Sequence, residues 1–348
     1  MQYRWDLSSD ASTARFCNTG LDSQDYEISV DWLRLFLPIP QGQHPLDLAE
    51  EIETVFKVKT EGLLEPFIQS WQQWLGRASA PGIQLWWKRE EIAGHEFLLA
   101  RLDISGKACQ AVGQHELRSW VRDLDNRYEL GCKRFDVAFD DYTKELWTWE
   151  DVIDARERGN YALARSAELR RSGRRGQQEA VTVYFGSRHS EVLHRFYNKE
   201  LESKGLVPTH RCEAQFNDSK ANVVFRSWLE ADSDDVAFRT IFDALAGSVI
   251  FCDRSSGDTN IERLPTLEWW QRLLDLAHRP VRVPGKRPNL TIEKTADWLY
   301  RCKGSIVALK RWLGDTFESW LDMLIQDGYD AQTKRHDSLV YSALLQVT

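Results

Sequence analysis

The stretch that decides the fold runs from Val181 to Lys204 and reads VTVYFGSRHSEVLHRFYNKELESK. Two runs rich in apolar residues flank a polar turn, GSRHS, and this pattern is typical of a β-hairpin. Successive side chains of a strand point to opposite faces of the sheet. One face of the second run carries Leu193, Arg195, Tyr197 and Lys199. The hydroxyl of Tyr197 is therefore expected between two cations.

Two further segments alternate in the same way, RFDVAFD at residues 134–140 and RCEAQF at residues 211–216. Each places apolar side chains on one face and polar or charged side chains on the other. If these strands share a sheet with the hairpin, the apolar face packs on helices and the other face gathers charge around Tyr197. That face would carry three carboxylates, Asp136, Asp140 and Glu213. Carboxylates, arginines and a tyrosine together are the composition of a site for phosphoryl transfer.

The rest of the sequence mixes strand and helix patterns. Strands are predicted at 26–38, 83–87 and 97–104, and helices at 45–58, 115–128, 149–158, 217–230, 235–245, 292–303, 305–313 and 316–327. Residues 105–109 are predicted as a turn and residues 159–178 as a long connection, and Trp269 with Trp270 is expected to dock its segment onto the preceding domain. Because strands and helices do not alternate, we predict an α+β fold with a largely antiparallel central sheet flanked by helices and followed by a helical C-terminal region.

Length and composition favour a packed protein. At 348 residues, with fifteen Trp and fifteen Phe, the chain can bury a substantial core. No apolar run reaches the roughly 18 residues needed to span a bilayer, and the N-terminus has no signal-peptide pattern, so we expect a cytoplasmic protein without a membrane partner. We expect a loosely ordered leader at residues 1–25. The six cysteines show no metal-finger spacing and are expected to be reduced.

The charge of the chain is segregated. A net charge of -8 argues mildly against a nucleic-acid partner. However, the run RSAELRRSGRR at 165–175 holds five arginines against one glutamate, and RPVRVPGKR at 279–287 holds four cations and no acid. Either run is compatible with phosphate binding or with an ordinary solvated loop.

Three carboxylates on one face would repel each other without a counter-charge. A hard divalent cation such as Mg²⁺ or Mn²⁺ prefers carboxylate oxygens, and it can orient a phosphodiester for in-line attack. Tyr197 would supply the nucleophile, and its hydroxyl, with an ordinary pKa near 10, needs activation by Arg195, Lys199, the metal or a neighbouring carboxylate.

Other interpretations of this cluster stay open. The acids of the three strands could simply form solvated ion pairs with Arg134, Arg195 and Arg211. Alternation does not decide whether Tyr197 or Tyr184 of the same hairpin reacts. The sequence contains no His-x-His pair, which argues against a metal held by histidines.

Six segments occur in an order and spacing that resembles a known family. They are VDWL at 30–33, SGKAC at 105–109, RFDVAFD at 134–140, YFGSRHS at 184–190, RFYNKE at 195–200 and RCE at 211–213. The chain resembles the replication initiation factor family, which comprises rolling-circle initiators and related relaxases of plasmids, phages and integrative elements. The family lacks the paired-histidine motif of other rolling-circle enzymes, in agreement with this sequence.

The resemblance implies an enzyme that nicks and rejoins a DNA strand. The tyrosine of its R-x-Y-[DN]-K segment, here Tyr197, would attack the scissile phosphate to give a 5′-phosphotyrosyl link and a free 3′-hydroxyl, with Arg195 and Lys199 as catalytic neighbours. The acids expected by position to hold Mg²⁺ or Mn²⁺ are Asp136, Asp140 and Glu213. Asn198 stands where many relatives have Asp, which removes one carboxylate from the site.

The resemblance also implies partners. The main one is DNA at an origin of replication or transfer, expected as a hairpin, and a second copy of the chain and a host helicase are further candidates. DNA contacts are predicted for Arg134, Arg188, Arg211, Arg170, Arg171, Arg174 and Arg175. We expect the nicking domain at 26–278 and a helical region for DNA specificity or dimerisation at 279–348. The alternative function is a non-catalytic DNA-binding replication regulator of the same fold.

Overall fold

The computed structural model describes residues 25–330 apart from 41, 64–66, 70–71, 93–94, 173–179, 204, 206, 279, 284–299 and 301–302. Its strands are β1 (Tyr26–Ile39), β2 (Glu61–Leu63), β3 (Phe67–Gln69), β4 (Gln72–Trp74), β5 (Gly76–Ala80), β6 (Ile83–Ile92), β7 (His95–Ser105), β8 (Gly131–Asp141), β9 (Tyr161–Ala162), β10 (Ala167–Ser172), β11 (Ala180–Phe185), β12 (Val192–Asn198), β13 (His210–Asn217) and β14 (Ile250–Phe251). Ten of them form one sheet in the order β10-β11-β12-β13-β8-β1-β7-β6-β5-β2. Neighbouring strands run antiparallel, so the predicted antiparallel sheet is confirmed.

In chain order, the described residues form ten α-helices. They are α1 (Pro45–Phe56), α2 (Gly106–Val112), α3 (Gln114–Tyr128), α4 (Trp149–Glu157), α5 (Lys199–Glu202), α6 (Asp218–Glu230), α7 (Asp234–Gly247), α8 (Glu268–Leu276), α9 (Lys303–Leu313) and α10 (Phe317–Asp330). Local signals explain several starts: Thr148 and Asp151 form a capping box at α4, and Pro45 begins α1. Among the described residues, no helix combines the length and apolar composition that crossing a membrane requires.

The predicted hairpin is confirmed as β11 and β12, with Val183 opposite Phe196. Its turn needs glycine at position 186, where φ is +101° and an added Cβ would lie 2.7 Å from the carbonyl oxygen of Val192. Strand β12 pairs with β13, and β13 pairs with β8. The three strands predicted to carry the charged residues are therefore adjacent in the middle of the sheet.

The two faces of the sheet differ as the alternation predicts. Phe135, Val137 and Phe139 of β8 are at most 1% exposed and join a hydrophobic core with residues of α3, α6 and α7. The expected docking of Trp269 and Trp270 occurs in this core, where their rings lie 4.7 and 4.9 Å from that of Phe251. The opposite face carries the charged side chains.

Residues 105–109 are not a turn, because Ser105 ends β7 and α2 begins at Gly106. The turn prediction is wrong because Gly106 does not mark a turn; it allows close packing between the start of α2 and strand β1. A Cβ on Gly106 would lie 2.5 Å from Oδ1 of Asp31 and 2.9 Å from its backbone oxygen, so only glycine lets α2 start against β1. Ala108 and Cys109 of this helix are then buried in the core.

Residues 159–178 are not a plain connection, since they include β9 and β10. Strand β10 pairs with β11 at the edge of the sheet, where charged residues are tolerated because they remain in water. Ala167 and Leu169 are half-buried and alternate with exposed Glu168 and Arg170. The high charge of this segment concealed its strand pattern. The strands β2 to β5 were also not predicted.

The chain divides into two compact units, residues 1–285 and residues 286–348. Residues 281–283 belong to the first unit, where the amide of Val281 donates to the carbonyl of Asp243. In the second unit, α9 and α10 confirm the helices predicted at 305–313 and 316–327. The leader expected at residues 1–25 and the helix predicted at 292–303 lie almost entirely outside the described residues.

Candidate active site

Tyr197 lines a cavity of about 340 Å³ on the charged face of the sheet. Residues from five chain segments line this cavity. They include Asp31, Trp32, Arg134, Asp136, Arg195, Lys199 and Glu213. The catalytic residues predicted from the sequence, Tyr197, Arg195 and Lys199, thus share one cavity with two of the three predicted metal ligands.

The hydroxyl of Tyr197 donates a hydrogen bond to Oε2 of Glu213 across 3.1 Å. Burial raises the pKa of this hydroxyl above its ordinary value; the positive charges of Arg211 and Arg195 oppose the shift and the charge of Asp31 adds to it. Tyr197 is therefore protonated at neutral pH, and a carboxylate lies within hydrogen-bonding distance of its proton.

Arg195 links the two carboxylates of the cavity. Its Nη2 contacts Glu213 and lies 3.3 Å from Oδ2 of Asp136. Arg134 also binds Asp136, with Nε at 2.9 Å from Oδ1 and Nη2 at 2.6 Å from Oδ2. Asp136 and Glu213 are at most 1% exposed, so these guanidinium groups supply the counter-charge that buried carboxylates need.

Asp140 has a different environment, although it lies on the same face. Arg211 binds both of its oxygens, at 2.8 and 2.5 Å, and the hydroxyl of Thr209 donates to it across 2.6 Å. Asp140 does not line the cavity of Tyr197. Burial is the largest single influence and lowers the pKa of Arg211, but the charge and hydrogen bond of Asp140 together with the charge of Asp31 outweigh it, so the pKa is raised. Arg211 is only 1% exposed, and the partners of its guanidinium are the carboxylates of Asp140 and Asp31.

Asp31 is the cavity residue that sequence reasoning missed. Arg211 holds it at 2.9 Å, and burial raises the pKa of its carboxyl while Arg211 opposes that shift. The register of β1 against β8 shifts between Val30 and Trp32, so the residue between them is a β-bulge that turns towards the charged face. The sequence did contain a signal for this bulge. The apolar residues have even numbers at Ile28 and Val30 but odd numbers from Leu33 onward, so the alternation is interrupted by one extra residue.

The donor chemistry of the cavity fits a hard divalent cation, because two buried carboxylates converge on one guanidinium nitrogen and Asp31 is a third oxygen donor on the same wall. The fit is incomplete in the arrangement observed. Within the described part of the chain, no three His, Cys, Asp or Glu side chains form a group that could hold a metal ion. Binding a cation would thus require the arginines to move away from the carboxylates.

The remaining predicted site residues lie further away. Arg188 is exposed in the hairpin turn. Arg170 and Arg171 are exposed on β10, and Arg170 binds Glu168 at 2.7 Å and lies over the ring of Tyr184. Tyr184 is on the charged face opposite Arg195 but does not line the cavity of Tyr197. Arg174 and Arg175 lie outside the described residues.

Comparisons with known proteins agree with this fold. The family model described as "Replication initiation factor" matches residues 131–325, which is more than half of the chain. The protein therefore belongs to the replication initiation factor family. Its fold is similar to a solved structure described as a rolling circle replication initiator protein from Geobacillus stearothermophilus, with a TM-score of 0.51 and 18% identity over 75% of this chain and 100% of that chain. No curated protein matches the chain.

Proposed function

We propose that this replication initiation factor nicks and rejoins one strand of origin DNA, and so starts rolling-circle replication or conjugative transfer, through a covalent link to Tyr197. The observation that carries the proposal is the hydrogen bond from the Tyr197 hydroxyl to Glu213 at the wall of the cavity. A nucleophile paired with a base of this kind is the arrangement that covalent catalysis requires.

In the proposed reaction the Tyr197 oxygen bonds to the scissile phosphorus while the bond from phosphorus to the 3′ oxygen breaks. The tyrosine proton passes to Glu213, and the departing oxygen takes up a proton from water to become a 3′-hydroxyl. Rejoining reverses these steps: a 3′-hydroxyl gives its proton to water and bonds to the phosphorus, the bond from phosphorus to the Tyr197 oxygen breaks, and Tyr197 recovers its proton from Glu213. The raised pKa of Tyr197 makes a base necessary, because little of the hydroxyl is ionised at neutral pH.

The cations of the cavity would stabilise the charge on the phosphate. The side chain of Arg195 is 25% exposed and reaches the cavity, and Lys199 lies 5.6 Å from the Tyr197 ring. Positively charged donors next to a reacting phosphate strengthen as negative charge develops on its oxygens. Arg195 would then exchange part of its contact with the carboxylates for contact with the DNA.

Asp136 and Glu213 are the carboxylates we propose to hold a Mg²⁺ or Mn²⁺ ion, with Asp31 as a third ligand. When bound, such an ion polarises a phosphoryl oxygen. Asp140 as a ligand stays a prediction, since both of its oxygens bind Arg211. A second copy of the chain, a host helicase and a cytoplasmic location also stay predictions.

A nicking assay tests the proposal. The substrate is a supercoiled plasmid that carries the DNA flanking the coding region, because initiators of this kind commonly act on a hairpin near their own gene. With Mg²⁺ or Mn²⁺ the protein should convert the plasmid to open circles, and excess EDTA should stop the conversion. Tight binding of the plasmid without any nicking would instead support the non-catalytic regulator, and undiminished nicking in EDTA would contradict the metal.

A further inference from the structure

A second cavity of about 560 Å³ lies on the charged face of the sheet, beyond the cavity of Tyr197. We call it the basic groove; its lining includes Arg34, Phe36, Arg101, Lys133, Arg188 and Asn217. We propose that the basic groove binds the backbone of single-stranded DNA several nucleotides from the scissile phosphate. The identity of this ligand rests on the proposed nicking function, whereas its polyanionic character follows from the groove itself.

Like charges face each other where the groove meets the site. Arg34 of β1 is the register partner of Arg134 of β8, so their Cα atoms are about 5 Å apart. Like charges directly opposite in a sheet are destabilising. Each guanidinium turns to a different acid, Arg134 to Asp136 and Arg34 to Asp103, which Nε of Arg34 contacts at 2.6 Å. A phosphate above this pair would relieve the repulsion between the two arginines.

A β-bulge adds a further cation to the groove. The register of β1 against β8 shifts again between Arg34 and Leu35, which leaves Lys133 as the extra residue of β8. Bulges redirect a side chain at functional sites. The side chain of Lys133 is 57% exposed, and its ion-pair partner Asp218 is 3.8 Å away and itself 73% exposed. Such an exposed pair contributes little stability, so Lys133 can bind a phosphate at little cost.

The groove combines these cations with an aromatic side chain. Phe36 is half-buried in the lining, next to Arg101, which shares Asp103 with Arg34. Single-strand binding sites join a basic track with aromatic rings on which bases stack. In a duplex the bases are already stacked on each other, which leaves no exposed face for Phe36. This chemistry favours a single strand over a duplex.

The groove is also placed to receive DNA held at Tyr197. A line of contacts connects the two cavities, from Tyr197 through Glu213 and Arg195 to Asp136 and Arg134, the partner of Arg34. From the spacing between neighbouring strands and the rise per residue along a strand, we place the Cα atom of Arg34 about 25 Å from the Cα atom of Tyr197. The groove is therefore too far to hold the scissile phosphate, and it would hold a flanking segment.

The test measures the affinity of the full-length protein for a fluorescent twenty-nucleotide oligo(dT) in EDTA as a function of salt. For single strands, each lost phosphate contact lowers the slope of log affinity against log salt by about 0.7. Arg34→Gln with Lys133→Gln should thus lower the slope by about 1.4, which corresponds to about 25-fold weaker binding at 0.1 M salt if the lines meet at 1 M. Phe36→Leu should weaken binding without changing the slope.

A matched control removes two other ion-paired cations, Arg158→Gln and Lys59→Gln, whose partners are Asp154 and Glu53. It loses the same net charge and should keep the slope of the wild type. Equal slopes for the groove variant and the wild type would overturn the proposal, as would a change of slope seen with a blunt duplex but not with oligo(dT).

Lys133→Gln alone, at an exposed position, should lower the slope by about 0.7 even if the double variant folds poorly. Oligo(dT) binding is measured in EDTA and needs no nicking, whereas the nicking mechanism is tested by plasmid conversion with the wild-type protein, so failure of the groove and failure of the nicking mechanism are distinguishable.

Discussion

Two acid–arginine clusters lie side by side on the same sheet face, and they differ in what surrounds them. In the buried pair, Asp140 and Arg211, both carboxylate oxygens are bound by the guanidinium and Thr209 donates a further hydrogen bond. In the pocket cluster, Asp136, Arg195 and Glu213, acids and an arginine line a cavity instead, and Glu213 accepts a hydrogen bond from the hydroxyl of Tyr197. From this difference we propose that the buried pair maintains the fold, while the pocket cluster takes part in the chemistry.

The largest expected effect comes from the acid that contacts Tyr197. Glu213→Gln keeps the shape of the side chain but cannot accept the tyrosine proton, so the nicking rate should fall by about 10²- to 10⁴-fold. The rate is measured on supercoiled plasmid, and thermal unfolding of the variant serves as the control for folding. A variant that nicks at the wild-type rate would remove Glu213 from the role of base.

The pH dependence of the same variant separates a base from a positioning residue. Burial raises the pKa of Tyr197 above its ordinary value near 10, so between pH 7 and pH 9 the ionised fraction of the hydroxyl rises tenfold per pH unit. Without Glu213 as base, the nicking rate of Glu213→Gln should follow that fraction, while the wild-type rate should rise less steeply. Parallel pH profiles would contradict proton transfer to Glu213.

The buried pair should show the opposite response, a large loss of stability. Asp140→Asn leaves the positive charge of Arg211 with Asp31 as its remaining carboxylate partner, and removal of one partner of a buried ion pair typically costs about 3–5 kcal/mol. Urea unfolding at pH 7 measures the free energy of unfolding. A loss below about 1 kcal/mol together with complete loss of nicking would instead make Asp140 a functional ligand, as the sequence first indicated.

The smallest effect is expected for a third, solvent-exposed pair on the same face. Arg170 and Glu168 are 43% and 56% exposed at the edge strand, and water and salt screen an exposed ion pair of this kind. Arg170→Gln should therefore leave the midpoint of urea unfolding almost unchanged. If Arg170 contacts DNA as predicted, the slope of log affinity against log salt should decrease in this variant by the amount expected for about one phosphate contact. An unchanged slope would show that the edge strand does not touch phosphates.

The sequence predicted the parts of this site that depend on regular alternation. The strands that carry Asp136, Tyr197 and Glu213 follow period two, so their charged face could be inferred, whereas their pairing with one another was only assumed and is now seen in the sheet. Asp31 could not be found in this way, because a bulge reverses its direction. The contrast between Asp136 and Asp140 was also hidden, since both occupy the same face of one strand and only the partners supplied by β12, β13 and Thr209 distinguish them.

The covalent link itself is the most direct test of the central claim. The experiment incubates the wild type, Tyr197→Phe and Tyr184→Phe separately with a labelled plasmid that carries the DNA flanking the coding region. Protein–DNA adducts are then separated under denaturing conditions, and the modified peptide is identified by its mass. The wild type and Tyr184→Phe should form an adduct on the peptide that contains residue 197. Tyr197→Phe should form none while it keeps the melting temperature of the wild type within a few degrees, because only one hydroxyl and its hydrogen bond are lost. An adduct in Tyr197→Phe, or its loss only in Tyr184→Phe, would contradict the assignment of Tyr197 as the nucleophile.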